Sequence, residues 1–395
     1  MKSWVEVSER RLTANYKLLA EAAGPDTSVL AVVKADAYGH GAAVCAPVLT
    51  QAGAEWLGVT DAAEGIAVRA TLGASQPRIL VMSGLLPDEA DAVVEHSLTP
   101  VVWTIEHLEW LTEATARHGN HAALPVHLEV DTGMARQGAP IGAELKAILS
   151  WLSNQSALQL DGVMTHFASA EVAGSQQTLD QRTKFEAAMT AVAAAGLKPA
   201  WVHAGNSSTV DNRGDGDADS LAWLHRIAAK AGARAMVRPG LGLYGYALPI
   251  EQANGPEALP QVREGLQPVM CWKTRVIGIR NVQPGDTVGY NATFVAERPM
   301  RLVLLPIGYA DGLRRALSSA AAGGWVMVQG QKAAIVGRVS MNLTVVDVTG
   351  LTNIAVGDEV VLLGDGVTAE DHARLAGTIA YEIVCGVRSE PRLVP

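Results

Sequence analysis

The sequence predicts an α/β protein in which a TIM-like (β/α)8 barrel is followed by a mostly β C-terminal domain. Over the first two thirds of the chain, eight short apolar runs alternate with Ala-rich amphipathic runs, several of which end in glycine. From Gln267 onward, strand-like runs meet instead at tight turns such as the QPGD sequence at 283–286. The length of 395 residues also favours two domains, because single hydrophobic cores rarely grow beyond roughly 250–300 residues.

The alternating runs predict the barrel. The eight strand candidates are Val29–Ala35, Trp56–Thr60, Arg78–Ser83, Leu98–Trp103, Pro125–Asp131, Leu158–Phe167, Trp201–Gly205 and Ala235–Arg238. The segments at 42–53, 62–73, 178–196 and 220–232 are typical of helices closed by a glycine. Strands that alternate with helices indicate parallel βαβ units, and eight of them over roughly 250 residues fit a closed barrel. A doubly wound parallel sheet is the alternative.

The change of pattern near residue 260 predicts the domain boundaries. We expect a barrel over residues 10–260, a β-rich domain over 261–395, and packing of residues 1–9 with that second domain. One helix is expected near Glu370–Gly377, because Thr368 and Asp371 have the spacing of a capping box. The acidic loop at 212–220 is expected to be solvated.

The composition excludes several classes of protein. Hydrophobic residues make up 49% and charged residues 18%, which excludes a disordered chain. The net charge of -9 gives no general attraction to nucleic acid or to an anionic membrane, so a bound anion needs a local site. Three cysteines are too few for a disulfide framework. No apolar run reaches the roughly 18 residues of a membrane span, and no signal peptide is evident, so a soluble cytoplasmic protein is expected.

The sequence AVVKADAYGHG at 31–41 holds the first candidate site residues. Lys34 stands at the end of the first apolar strand, where barrel enzymes place catalytic groups. Burial there favours the neutral amine, which is the nucleophile that a Schiff base requires. A surface lysine at a strand end is the alternative, and Tyr38 in the following turn is equally open.

Further candidates follow later barrel strands. Arg136 follows a strand and a glycine turn, where a guanidinium suits a carboxylate or a phenolate, although a surface ion pair is the alternative. His166 lies in an apolar strand and is also typical of a core histidine. The HAGNSS sequence at 203–208 suits a phosphate, or is an ordinary loop. Arg238 ends the eighth strand, and the GxGxxG sequence that begins at Gly240 is no dinucleotide motif because no helix opens after it.

The β-rich domain and the metal question give weaker signals. Tyr290, Met341 and Tyr381 lie in the second domain, where a lone tyrosine is usually a packing residue. His118 and His121, with His127 and Glu129, are a weak alternative as metal ligands, because no catalytic-metal spacing occurs. No metal is predicted.

Taken in order, these segments resemble the alanine racemase family, which uses pyridoxal phosphate on a barrel joined to a β domain. The motifs are AVVKADAYGHG, VDTGMARQG, THFA, NSS, RPGLGLYG, VGYNATF, LPIGYADG and AYEIVCG, and they cover essentially the whole chain. The resemblance implies interconversion of L-alanine and D-alanine by two bases at Cα, which supplies D-alanine for peptidoglycan. It also implies a homodimer whose active sites are completed across the interface.

The resemblance further implies a role for each site residue. Lys34 binds pyridoxal phosphate covalently and is one base, and Tyr290 from the other subunit is the second base. Arg238 faces the pyridine nitrogen, and His166 links Arg238 towards Tyr290. Arg136 meets the ring phenolate and the substrate carboxylate, which the backbone N–H of the other subunit's Met341 also contacts. The remaining cofactor contacts, most of them to the phosphate, are Tyr38, Asn206, Ser207, Gly240 and Tyr381.

Three departures from the family pattern stand out. Glu129 occupies a position where the family often has a carbamylated lysine, so no carbamate is expected there. The segment between Ser207 and Arg238 is long, and Asn342 stands where an acid is common. A broader-specificity racemase is the main alternative function. A pyridoxal-phosphate decarboxylase is disfavoured because such enzymes resemble proteins with an acid, and not Arg238, at the ring nitrogen.

Overall fold

A computed structural model describes residues 2–73, 76–119, 122–253, 258–318 and 323–395. The chain divides into two compact units. The barrel unit comprises Leu12–Ala35 and Ala46–Gln267, and the β unit comprises Met1–Arg11, Asp36–Cys45 and Pro268–Pro395. The domain boundaries expected at residues 9 and 260 stay a prediction. Within the described ranges, no helix is both long and apolar enough to cross a membrane.

The regular elements are numbered in chain order. The strands are β1 (Ser3–Ser8), β2 (Thr27–Val32), β3 (Trp56–Val59), β4 (Arg78–Val81), β5 (Thr99–Val102), β6 (Leu124–Asp131), β7 (Ala139–Pro140), β8 (Leu158–Met164), β9 (Val172–Ala173), β10 (Trp201–His203), β11 (Arg234–Val237), β12 (Glu251–Gln252), β13 (Met270–Arg275), β14 (Gly278–Val282), β15 (Thr287–Val288), β16 (Phe294–Val295), β17 (Met300–Leu305), β18 (Trp325–Val328), β19 (Gln331–Ala334), β20 (Thr344–Asp347), β21 (Glu359–Leu363) and β22 (Pro391–Val394). The helices are α1 (Glu9–Ala23), α2 (Lys34–Gly39), α3 (Ala42–Gln51), α4 (Ala62–Thr71), α5 (Ala90–Glu95), α6 (Ile105–Arg117), α7 (Ala143–Ser153), α8 (Gln176–Ala194), α9 (Ser207–Asp211), α10 (Ser220–Ala231), α11 (Ala369–Ala376) and α12 (Ala380–Cys385).

The barrel unit contains a closed parallel barrel of eight strands. Their order is β5-β4-β3-β2-β11-β10-β8-β6, and β5 pairs back onto β6. Closure confirms the predicted (β/α)8 barrel and shows that the doubly wound alternative is wrong, because a doubly wound sheet keeps two open edges. All eight strand candidates are present. The glycines expected after four helices, Gly53, Gly73, Gly196 and Gly232, have φ of 114°, 58°, 74° and 67°.

Several predicted strands are too long at the C-terminal rim of the barrel. β2 ends at Val32 and not at Ala35, β8 ends at Met164 and not at Phe167, and β10 ends at His203 and not at Gly205. The residues beyond these ends begin the loops of the rim, although the backbone N–H of Val33 still bonds to Gly58 at 2.8 Å and that of Thr165 to His203 at 3.1 Å. The expectation of a solvated loop at 212–220 is wrong at Asp219, which is buried, caps α10 and accepts a 2.7 Å hydrogen bond from Arg213.

The β unit is built around two sheets. One has the order β19-β18-β21-β13-β1-β22 and the other β14-β17-β20. The single run that the sequence shows over 268–280 is therefore divided between β13 and β14, which lie in different sheets. Helix α11 begins with the predicted capping box of Thr368 and Asp371. Tyr381 lies on α12, a helix that the sequence did not predict.

Candidate active site

Five predicted site residues come together on one rim of the barrel. Lys34, Arg136, His166, Ser207 and Arg238 follow the C-terminal ends of β2, β6, β8, β10 and β11 respectively. The strands are parallel and the barrel is closed, so these ends share one rim, which is where barrel enzymes place their active sites. The candidate active site therefore lies on this rim.

Arg238 is the centre of the best-defined hydrogen bonding on the rim. Its side chain is buried and reaches the carbonyl of Thr165 at 2.8 Å, Nδ1 of His166 at 3.2 Å and Nδ1 of His203 at 3.2 Å. A guanidinium can only donate, so both imidazole nitrogens must accept. His166 and His203 are therefore neutral, with their protons on Nε2.

Burial and charge explain the protonation states around Arg238. Burial, together with the charges of Arg238, Arg136 and Lys34, lowers the pKa of His166 to about 3. Burial also lowers the pKa of Arg238, to about 10, while Glu129 opposes the shift. Arg238 is thus a cation at neutral pH and His166 is a neutral donor through Nε2.

Glu129 is buried close to this cationic group. Among the described side chains, its carboxylate accepts a hydrogen bond from the amide of Gln137, whose nitrogen also reaches the carbonyl of Met82 at 2.9 Å. Burial raises the pKa of Glu129, and the Gln137 hydrogen bond and the charges of Arg238 and Arg136 oppose that rise. Arg136 itself is exposed. The carboxyl group of Glu129 is thus held by Gln137, and the charge of Arg136 favours its ionised form.

The loop after β10 and the loop after β11 meet at Ser207. Its Oγ accepts the backbone N–H of Gly240 at 3.1 Å and that of Gly242 at 3.0 Å. A Cβ at Gly242 would lie 3.2 Å from this Oγ, so the close approach depends on glycine. Asn206 caps the short helix α9 by accepting the N–H of Thr209. Hydroxyls and glycine amides gathered at a helix start suit a phosphate.

The segment α2, which begins at Lys34, is a single left-handed helical turn and not a right-handed helix. Four consecutive non-glycine residues, 35–38, have φ of 51°, 52°, 53° and 55°. L-residues adopt this conformation only at a cost, so the turn is strained. Within the β unit, the ring of Tyr38 lies 5.9 Å from that of Tyr381, and burial raises the pKa of Tyr38 above its ordinary value. Two of the predicted cofactor contacts are therefore neighbours.

Tyr290 and Met341 lie on the surface of the β unit. The side chain of Tyr290 is 68% exposed and that of Met341 57% exposed. Asn291 and Ala292, which follow Tyr290, have φ of 59° and 48°. A Cβ at Gly308 would lie 2.4 Å from the carbonyl oxygen of Met341, so the backbone there is closely packed while the side chain is not. Both predicted contributors to a second subunit's site are accessible on the single chain.

Sequence reasoning missed the buried polar residues beneath Arg238. His203 was seen only as the start of a loop, and His127 and Asp161 were not connected with the site. Each is a polar residue within an apolar strand, which is the one signal that could have drawn attention to them. Within the described ranges no group of three metal-ligating residues is present, and His121 lies outside those ranges.

Fold and rim together define a class of barrel proteins that are joined to a β domain and carry a lysine, two arginines and a histidine on the C-terminal rim of the barrel. The family model described as alanine racemase, N-terminal domain, matches residues 7–248, and that described as alanine racemase, C-terminal domain, matches residues 269–394. The chain therefore belongs to the alanine racemase family.

Individual relatives agree with this assignment. The alanine racemase of Syntrophobacter fumaroxidans is 38% identical over 389 residues, which are 98% of this chain and 95% of that protein. Alanine racemase from Streptomyces coelicolor A3(2) superposes with a TM-score of 0.84 at 32% identity, covering 100% of this chain and 98% of that one. The alanine racemase of Bartonella henselae, solved with covalently bound pyridoxal phosphate, has a TM-score of 0.79 at 26% identity and is covered over its full length, as is this chain.

The rim fits pyridoxal phosphate by its chemistry. The hydroxyl of Ser207 and the N–H groups of Gly240 and Gly242 meet on this rim, and a Cβ at Gly242 would lie only 3.2 Å from that hydroxyl. Lys34 supplies a primary amine, and Arg238 supplies a buried cation that can only donate. These are the groups needed for the phosphate, the aldehyde carbon and the ring nitrogen of the cofactor.

Proposed function

We propose that the chain interconverts L-alanine and D-alanine with Lys34 and Tyr290 as the two bases. Isomerase activity and the cofactor follow from family membership; the residue roles are the proposal. The observation that supports it best is the position of Lys34 on the same rim as the Arg238–His166 pair. Inversion at Cα needs a proton removed on one face and returned on the other, which one base cannot easily do.

The side chains on the rim divide the work. Pyridoxal phosphate, when bound, supplies the electron sink that makes the Cα proton of an amino acid removable. Lys34 Nζ takes or gives the Cα proton on one face, and Tyr290 Oη does so on the other. Arg136 orients the substrate carboxylate as a charged hydrogen-bond donor. Arg238 has no proton to give up at neutral pH, so it limits proton uptake at the ring nitrogen and with it decarboxylation and transamination.

The remaining contacts are proposed on the same basis. Ser207, Gly240 and Asn206 belong to the loops after β10 and β11, which we assign to the phosphate, and we assign Tyr38 and Tyr381 to cofactor binding as well. His166 accepts from Arg238 and offers its Nε2–H outward. Glu129 has no amine that carbon dioxide could modify, and its own carboxyl group lies within the electrostatic reach of Arg136, so we propose that no carbamate forms at this position.

A homodimer explains why the second base is exposed on a single chain. Tyr290 and Met341 are both accessible, and we propose that they complete the site of a second copy, where the backbone N–H of Met341 meets the substrate carboxylate. We also propose a cytoplasmic location, which fits a sequence whose three cysteines are too few for a disulfide framework.

Mixing two inactive variants tests the two-base proposal and the dimer together. Lys34→Ala and Tyr290→Phe should each lose racemisation of L-alanine in deuterated water, measured as loss of chirality and gain of Cα label. After the two are unfolded together and refolded, half of the dimers are mixed and each has one intact site, so about a quarter of wild-type activity returns.

Three results would contradict the proposal. Normal racemisation by Lys34→Ala would remove the central assignment. Absence of rescue in the mixture would show that Tyr290 acts within its own chain. Release of carbon dioxide from the substrate would favour the decarboxylase alternative, and turnover of a panel of L-amino acids measures whether specificity is broader than alanine.

A further inference from the structure

A line of buried polar side chains runs down the inside of the barrel from Arg238. Arg238 reaches Nδ1 of His203 at 3.2 Å, Nε2 of His203 lies 2.9 Å from Nδ1 of His127, and Nε2 of His127 lies 3.2 Å from a carboxylate oxygen of Asp161. Arg78 closes the line with a 2.8 Å ion pair to Asp161. Both imidazoles are fully buried. The cost of burying such groups requires that each be paired.

The direction of every hydrogen bond in this line is determined by its two ends. Arg238 can only donate, so His203 accepts at Nδ1 and carries its proton on Nε2. That Nε2–H donates to Nδ1 of His127, whose own proton is therefore also on Nε2 and points to Asp161. Asp161 is the acceptor for both His127 and Arg78. A second proton on either imidazole would make two N–H groups face each other in one hydrogen bond, so both rings stay neutral.

The pKa values agree with this arrangement. Burial lowers the pKa of His203 well below its ordinary value, and the neighbouring His127 and Arg238 add to the effect. Burial also lowers the pKa of His127, and this outweighs the opposing effect of Asp161. Burial raises the pKa of Asp161, but hydrogen bonds and charges from His127 and Arg78 bring it below the ordinary value. The carboxylate is thus ionised at neutral pH.

Two features of strand β8 make room for these buried polar side chains. Strand β8 is regular against β6 up to Leu160, which pairs with Val126, and resumes with Gly162, which pairs with His127. Asp161 is the extra residue of a β-bulge, a feature that re-aims side chains. A Cβ at Gly162 would lie 2.6 Å from Nδ1 of His127, so the ring occupies space that only glycine leaves.

Aromatic rings close the far end of the line. The ring of Trp56 lies 5.1 Å from that of His127 and packs edge-on against Trp201 at 5.6 Å. The guanidinium of Arg78 stacks over Trp56 at 4.0 Å and is partly exposed. Water is therefore kept from the imidazoles by apolar surface, which strengthens the hydrogen bonds within the line.

We propose that His203, His127 and Asp161 are positioning residues that hold Arg238 through a one-directional hydrogen-bond relay anchored at the Asp161 carboxylate. An anion at the end of an aligned chain makes each imidazole a better acceptor, as carboxylate partners do for metal-bound histidines. Nδ1 of His203, which accepts from Arg238, becomes a stronger acceptor, and the guanidinium of Arg238 is thereby fixed towards the rim. The consequence for turnover rests on the role proposed above for Arg238, whereas the relay itself does not.

The charge of Asp161 is tested by Asp161→Asn, which keeps a hydrogen-bond acceptor and removes the anion. Protein labelled with 15N-histidine, without cofactor, should show His127 and His203 as neutral Nε2–H rings between pH 8 and pH 5.5. In Asp161→Asn the proton signals of His127 Nε2–H and His203 Nε2–H should both move upfield, because each of these hydrogen bonds becomes weaker. In the cofactor-loaded enzyme, kcat for L-alanine should fall by roughly tenfold, the ordinary effect of one weakened hydrogen bond, with KM and cofactor affinity nearly unchanged.

Two further variants make the test decisive. Asp219→Asn is the matched control, because Asp219 is also a buried aspartate paired with an arginine, and asparagine caps a helix equally well. It should leave both signals and kcat unchanged. Arg78→Gln removes the cation from Asp161 and should move the signals downfield, opposite to Asp161→Asn, which keeps the test valid if the latter does not fold.

The outcomes separate the relay from the proposed function. A signal from His203 that does not move in Asp161→Asn, or an Nδ1–H tautomer for either ring, would refute the relay. The expected shifts with unchanged kcat would refute the positioning of Arg238. Racemisation by Lys34→Ala would instead overturn the proposed function and leave the NMR result standing.

Discussion

Gly162 shows how far a single residue controls the interior of the barrel. Its missing side chain leaves the space in which the ring of His127 lies. The ring in turn accepts from His203 and donates to the anion one residue before this glycine. At the scale of the residue, the buried hydrogen bonds of His127 depend on the absence of a side chain at position 162 as much as on any charged side chain.

Gly162→Ala should therefore destabilise the protein by about 2 kcal/mol, because a methyl group forced into a packed interior displaces its neighbours. The measurement is the free energy of unfolding by urea. Gly278→Ala is the control, since Gly278 is also in a strand but its added Cβ would meet only Leu304 at 3.8 Å. Equal stabilities of the two variants would show that the His127 ring moves aside without cost.

At the scale of the element, the left-handed turn after Lys34 is held by close packing at its end. Gly39 follows the four left-handed residues, and a Cβ there would lie 2.2 Å from the carbonyl oxygen of Val384. The side chain of Asp36 accepts the N–H of Ala42 at 2.7 Å, which begins the next helix. The strain of the turn is thus offset by contacts within the β unit that fix its far end.

Gly39→Ala should destabilise the protein by about 3 kcal/mol, combining the cost of a left-handed alanine with that of the clash. Gly24→Ala isolates the first part, because Gly24 has a similar φ of 88° but nothing within 4 Å of the added Cβ. We expect about 1 kcal/mol for that control. Urea unfolding measures both, and similar losses in the two variants would contradict the packing argument.

At the scale of the whole molecule, buried neutral histidines make the protein sensitive to acid. Burial lowers the pKa of His40 and of His372 to about 4 and that of His166 to about 3, and it also lowers the pKa values of His127 and His203. An unfolded histidine has a pKa of about 6.5. The unfolded chain therefore binds more protons as the pH falls below that value.

Stability should accordingly fall from pH 7 to pH 5, with each such histidine adding a slope that approaches about 1.4 kcal/mol per pH unit below pH 6.5. The loss continues until the pH passes the lowered pKa of the folded state. Urea midpoints at one protein concentration measure it. His372→Gln should reduce the slope by one histidine, and a midpoint independent of pH over this range would contradict the burial of these groups as neutral rings.

Much of this architecture could be predicted from the sequence. The alternation of apolar and amphipathic runs predicts eight strands, and closing glycines predict helix ends, because both depend on local pattern. The relay could not be predicted in this way, since His127 and His203 are far apart in sequence and meet only when the barrel closes. The left-handed turn after Lys34 was also missed, because residues 35–38 contain no glycine to signal it.

The bulge in β8 makes the anchor of the relay depend on a single codon. The ladder between β6 and β8 is regular up to Leu160 and resumes at Gly162, so Asp161 is the one extra residue between them. Loss of that one codon would leave an uninterrupted strand and no carboxylate, and its insertion would restore the anion. A single in-frame deletion would therefore remove the anchor of the relay and leave His127 and Arg78 without their shared acceptor.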